Sequence, residues 1–211
     1  MACGEWNALR CPQQGRIVWR EDSRFHLLLL WEMVSPYAAA VSFLHGLTTT
    51  TLPTAEGAVQ VAMEELPMTL HSARVLILGF GRVGKLTAHR MGALGAKVTV
   101  AARDYEDLAW AAAYGHETSR VADLSCELGG FDLVVNTIPA PILDRQRLTW
   151  VNPEAFLLDL ASAPGGVDRT AAAELGLRVL SAPGLPGRTA PVTAAAAIRD
   201  AVYHILWELE A

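Results

Sequence analysis

Cysteine is scarce in this chain: Cys3, Cys11 and Cys126 are scattered through 211 residues, and no Cys-x-x-Cys pair occurs. That excludes a disulfide framework and fits a reducing cytoplasm. A basic cluster is also missing. Seventeen Lys and Arg stand against 22 Asp and Glu, a net charge of −5, which argues against a nucleic-acid surface. The six histidines (His26, His45, His71, His89, His116 and His204) show no ligand spacing, so no metal site is expected. Long apolar runs are absent with one exception, residues 25–47, about the length of a membrane helix. Glu32 and Pro36 interrupt it, so it reads as a pair of core helices and not as a span. It also lies too far in for a signal peptide. No repeat of domain size is present.

What the chain does have is a hydrophobic fraction of 52%, enough for a well-filled core. Its length fits one domain with an appendage, or two small domains. From Arg74 onward, short apolar runs alternate with helical segments, the pattern of βαβ units on a parallel sheet. Strands are expected at 74–78, Lys97–Ala102, near His116, at 131–136 (F-D-L-V-V-N), 156–160 (F-L-L-D-L) and 178–180. Helices are expected at 85–94, 105–114, 142–148, 168–175 and 189–210. Right-handed crossovers then give an α/β fold, a doubly wound parallel sheet of the NAD(P)-binding Rossmann kind, ordered 3-2-1-4-5-6. Residues 1–51 form a short, mostly helical N-terminal appendage; residues 52–211 form the Rossmann domain. The run Thr48-Thr49-Thr50-Thr51-Leu52-Pro53 reads as a linker, and 54–66 as a helix with Thr54 as its N-cap.

One stretch carries the chemistry. The apolar run Val75-Leu76-Ile77-Leu78 leads straight into Gly79-Phe80-Gly81-Arg82-Val83-Gly84, and a helix follows. This strand–turn–helix context is what a dinucleotide fingerprint requires. Gly79 permits the turn, Gly81 lets a pyrophosphate approach the backbone, and Gly84 lets the helix pack on the strand. The free N–H groups and dipole of that helix then hold phosphate. A plain strand–helix turn is the alternative.

The second strand ends in Arg103 with no carboxylate at its end, which favours the 2′-phosphate of NADP over NAD. A solvated surface cation is the competing reading. Asp104 is expected to cap the next helix. Asn136, Thr137, Ile138 and Pro139 close the fourth strand at the switch point, where amide and hydroxyl can meet a ribose or nicotinamide; a polar turn is the plainer reading. Ser162 follows the fifth strand. Gly184, Leu185, Pro186, Gly187 and Arg188 follow the sixth. Their rigid turns suit a small anion, with Arg188 placed to pair with a substrate carboxylate or simply to face solvent.

Together L-P-T-A-E-G-A (52–58), L-G-F-G-R-V-G (78–84), V-N-T-I-P (135–139), L-D-L-A-S-A-P-G-G (158–166) and A-P-G-L-P-G-R-T-A-P-V-T-A (182–194) resemble, in order, the A-type subunits of dipicolinate synthases. The resemblance covers residues 52–209. It implies NADP-dependent oxidation of dihydrodipicolinate, a small dicarboxylate, to dipicolinate in the mother-cell cytoplasm of a sporulating bacterium. It also implies a flavoprotein-like partner, the B-type subunit of dipicolinate synthase. No membrane or nucleic-acid partner is implied, and a homo-oligomer is left open. The first fifty residues read as a truncated or divergent remnant of the family's front domain.

The related D-2-hydroxyacid dehydrogenases use an Arg after the fifth strand and a His after the sixth, where this chain has Ser162-Ala163 and Gly184-Leu185. Without that His, alcohol oxidation by their mechanism is not expected. Aromatising a dihydropyridine asks mainly for positioning. Glu56 and Ser162 are the catalytic candidates, with Glu56 as a base, although helix capping and surface roles explain Thr54 and Glu56 as well. The rival readings are a non-catalytic NADP-binding partner protein and another small-acid dehydrogenase of this fold.

Overall fold

The structure, a computed structural model, describes residues 46–210. The expectations for residues 1–45, including nearly all of the apolar run at 25–47, lie outside the described residues.

Strand β1 (Arg74–Leu78) is central because Val75, Leu76, Ile77 and Leu78 are all apolar and all fully buried. A strand covered on both faces has no polar alternation. It is flanked by β2 (Lys97–Ala102) and β4 (Leu133–Asn136), with β3 (Glu117–Arg120), β5 (Phe156–Asp159) and β6 (Arg178–Ser181) completing a six-stranded parallel sheet ordered β3-β2-β1-β4-β5-β6. This is the predicted order. Successive side chains of β1 point to opposite faces and join two separate cores. Val75 and Ile77 pack with Ala58, Ala62, Ala88 and Met91, from α1 (Gly46–Glu65) and α2 (Arg82–Ala93). Leu76 and Leu78 pack on the other side with Leu124, Leu148, Ala171 and Ala172. Those residues come from the 3-10 turn Val121–Cys126 and the helices α4 (Arg145–Leu148) and α5 (Arg169–Glu174). Helix α3 (Tyr105–Ala113) joins the first face through Ala111.

Three local expectations are corrected. The linker expected at 48–53 is helical: α1 runs unbroken from Gly46 to Glu65 with Pro53 inside it. Thr54 is therefore no N-cap, and its hydroxyl donates back to the Thr50 carbonyl at 2.7 Å, a mid-helix contact. An interior proline costs a helix about 3 kcal/mol. Burial of Thr51, Ala55, Ala58 and Ala62 along one side of α1 offsets it.

The helix expected at 142–148 shrinks to Arg145–Leu148, because Ile142 and Leu143 donate their N–H groups to the Gly166 carbonyl instead (3.0 and 2.9 Å). Asp144 then caps it by accepting from the Arg147 N–H at 2.8 Å. The last helix, α7 (Pro191–Glu210), starts two residues later than expected, and a short helix, α6 (Leu185–Thr189), replaces the turn expected before it. Pro191 disfavours helical backbone at Ala190, whose φ of −140° and ψ of 65° form the break.

Candidate cofactor site

The three glycines of the loop are required for three different reasons. Gly79 has φ +93°, and a Cβ there would meet Thr137 Oγ1 at 2.7 Å. At Gly84 a Cβ would lie 2.1 Å from the Gly79 carbonyl oxygen, so helix and strand meet there as closely as backbone allows. Gly81 is different: a Cβ would meet nothing within 4 Å. Among the described residues no atom explains its lack of a side chain, and the open backbone leaves room for a phosphate to rest on it. Gly81 is also the N-cap of α2 and has no side-chain cap. The first N–H groups of this 12-residue helix thus open onto the same space.

That space is a cavity of about 710 Å³ at the carboxyl ends of β1, β2, β3 and β4, within the range of cofactor sites. Gly79, Phe80, Gly81, Arg82, Val83, Arg103, Thr137, Ile138 and Pro139 all line it. The residues present fit a dinucleotide. Two arginines missed in the sequence, Arg120 at the end of β3 and Arg147 on α4, line it as well. Neither follows from local sequence, since only the parallel register brings Arg120 beside Ala102. Arg103 is 89% exposed and pairs with Asp104 at 3.4 Å. Asp104 occupies the N-cap position of α3 without capping it, which corrects its expected role.

Asn136 does not offer its amide to a ribose. It is 1% exposed; its Nδ2 donates to the Ile138 carbonyl (3.1 Å) and to Asp159 Oδ1 (2.7 Å), while its Oδ1 accepts from the Ile138 N–H (3.1 Å). Thr137 likewise donates its hydroxyl to the Leu78 carbonyl at 2.8 Å. Both residues shape the loop behind the cavity. Asp159, also missed, is the hub: it takes the Asn136 amide and the N–H groups of Ala161 and Gly166 (3.2 and 3.1 Å). A Cβ on Gly166 would lie 2.2 Å from Asn136 Nδ2, so this glycine is fixed by the same network.

The substrate-side candidates do not line this cavity. Ser162, Gly184, Gly187 and Arg188 are exposed at the carboxyl ends of β5 and β6, and Pro186 is half-buried there. Leu185 is a correction: it is 1% exposed and belongs to the core, beside Gly57 of α1. Glu56 pairs with Arg90 at 3.8 Å, in the last turn of α2, whose N-cap is Gly81. On α1 it lies about 140° around the axis from Thr51, which lines the cavity. Glu56 does not line the cavity.

Comparison with known proteins agrees with this geometry. Residues 38–174 match the family described as D-isomer specific 2-hydroxyacid dehydrogenase, NAD binding domain. The chain belongs to that family. It is also similar to the A-type subunit of dipicolinate synthase from Bacillus subtilis (strain 168), 38% identical over 160 residues, covering 76% of this chain and 54% of that protein. The crystal structure of the Bacillus halodurans counterpart matches with 40% identity and a TM-score of 0.74, over 75% of this chain and 55% of that one. The crystal structure of the corresponding dipicolinate synthase chain from Bacillus subtilis matches with 36% identity and a TM-score of 0.76, over 79% and 56%.

The chain thus spans about half the length of these relatives. The resemblance read from the motifs holds, and the domain is an NAD(P)-binding one. Among the described residues no helix is long and apolar enough to cross a membrane, and no cluster of His, Cys, Asp or Glu could hold a metal ion.

Proposed function

We propose that this chain is the NADP-binding part of an oxidoreductase of the dipicolinate synthase type, oxidising dihydrodipicolinate to dipicolinate in the mother-cell cytoplasm during sporulation. The flavoprotein-like B-type subunit of dipicolinate synthase is its partner. The observation that carries the reading is Gly81, which leaves open backbone at a helix N-terminus inside an arginine-lined cavity. The relatives are named dipicolinate synthases, which supports dipicolinate as the product.

When bound, the nicotinamide supplies a two-electron acceptor. The chain's own residues bind and orient. The α2 N-terminus and Gly81 hold the pyrophosphate, Arg103 stands beside the adenosine end, and Asn136 with Thr137 fixes the loop against which the rest lies. Ser162 and Arg188, exposed at the ends of β5 and β6, face the dicarboxylate. Gained aromaticity drives the oxidation, so positioning does most of the work.

Mixing the chain with its B-type partner, NADP⁺ and freshly made dihydrodipicolinate tests this. Formation of both NADPH and dipicolinate is expected, and absence of both removes the enzyme reading. The second reading, a non-catalytic NADP-binding partner, has its own support. Among the described residues, Asp104 and Asp107 are the only carboxylates lining the cavity, and each is paired with a cation. It predicts tight NADP⁺ binding without turnover.

A further inference from the structure

The charges around the cavity do not cancel evenly. Asp104 pairs with Arg103 at 3.4 Å, and Asp107 pairs with Lys85 at 3.7 Å. Arg120, from the end of β3, lines the same cavity and faces a ring instead of a carboxylate: its guanidinium carbon lies 5.2 Å from the centroid of Tyr105. The parallel register sets Arg120 opposite Ala102, about 4.8 Å away across the sheet and next to Arg103. A guanidinium on an aromatic face keeps its edge N–H groups free while the contact limits its motion. Among the described residues no carboxylate pairs with this exposed cation, which stands at the strand end where the adenosine ribose of a dinucleotide rests.

We infer that Arg120, held on Tyr105, is the main selector for the 2′-phosphate of NADP, with Arg103 as an auxiliary cation. This rests on the reading of the cavity as a dinucleotide site and assigns its specificity to β3. Both arginines are exposed, and Arg103 is the weaker candidate because its guanidinium already meets a carboxylate, that of Asp104. The phosphate would enter between the two guanidinium groups and make charge-assisted hydrogen bonds that NAD cannot make.

The test is calorimetric titration of the whole chain with NADP⁺ and NAD⁺, for the wild type and for Arg120→Ala, Arg103→Ala and Tyr105→Leu. Arg120→Ala should weaken NADP⁺ by about 10- to 100-fold and leave NAD⁺ within about 2-fold, which also reports that the variant is folded. Tyr105→Leu should weaken NADP⁺ about 3-fold, again without affecting NAD⁺. The fragment 2′,5′-ADP should compete in the wild type and fail to compete in Arg120→Ala. Equal losses for both cofactors in Arg120→Ala would overturn the assignment, leaving Arg120 as a general phosphate contact. A selective loss confined to Arg103→Ala would overturn it too and keep the NADP reading intact. A wild type with no preference for NADP⁺ would instead remove the NADP reading itself.

Discussion

Asn136 Nδ2 donates to Asp159 Oδ1 at 2.7 Å, joining the carboxyl ends of β4 and β5 through two side chains that are almost wholly buried. Asp159 also takes the N–H groups of Ala161 and Gly166, so one carboxylate sets the path of two loops at the edge of the cavity. Asp159→Ala leaves at least two backbone donors without a partner. A loss of about 3 kcal/mol or more in urea unfolding is expected. A change below about 1 kcal/mol would show that water replaces the carboxylate freely.

The loop glycines should separate cleanly into fold and function. Gly84→Ala forces a Cβ onto the Gly79 carbonyl and should lower the melting temperature sharply. Gly81→Ala meets no atom of the described residues, and as an N-cap change it costs only about 1 kcal/mol. Its melting temperature should stay close to that of the wild type while dinucleotide binding weakens by at least about 10-fold. If Gly81→Ala binds as tightly as the wild type, the phosphate does not rest there.

The turn after β6 offers the same contrast between neighbours. Leu185→Ala empties a core position beside Gly57 and Thr189 and should cost about 2–4 kcal/mol in stability. Arg188→Ala changes an exposed side chain and should alter stability by less than about 0.5 kcal/mol. In the assembled enzyme it should raise KM for the dicarboxylate. An unchanged KM would move the substrate carboxylate away from α6.

His116 gives a pH signature. Burial lowers its pKa below the ordinary 6.5, and the nearby charge of His89 lowers it further. The unfolded chain therefore takes up this proton at a higher pH than the folded one. The stabilisation is complete above the unfolded value and is lost as pH falls from there through the lower folded value. His116→Gln should flatten this part of the stability–pH curve, measured as thermal melts from about pH 7.5 to 5. An unchanged slope would assign it to another group.

The legible parts of this protein were those written in consecutive residues. The apolar run of β1, the glycine spacing behind it and the strand order all follow from local pattern and the handedness of crossovers. Residues 48–53 misled because four threonines and a proline signal a break, while burial of α1 between α2 and α6 overrides local propensity. Asp159 and Arg120 were silent for a different reason. Each stands beside a strand neighbour separated from it in sequence, Asn136 for one and Ala102 for the other, and only the register brings them together. Thr137 shows the limit of reading a site from residue type: its hydroxyl serves the Leu78 carbonyl.

The most direct measurement is a side-by-side titration of the 211-residue wild-type chain with NADP⁺ and NAD⁺. Saturable binding of both is expected, with NADP⁺ tighter by about 10-fold or more. Equal affinities, or tighter binding of NAD⁺, would contradict an NADP site at the ends of β2 and β3.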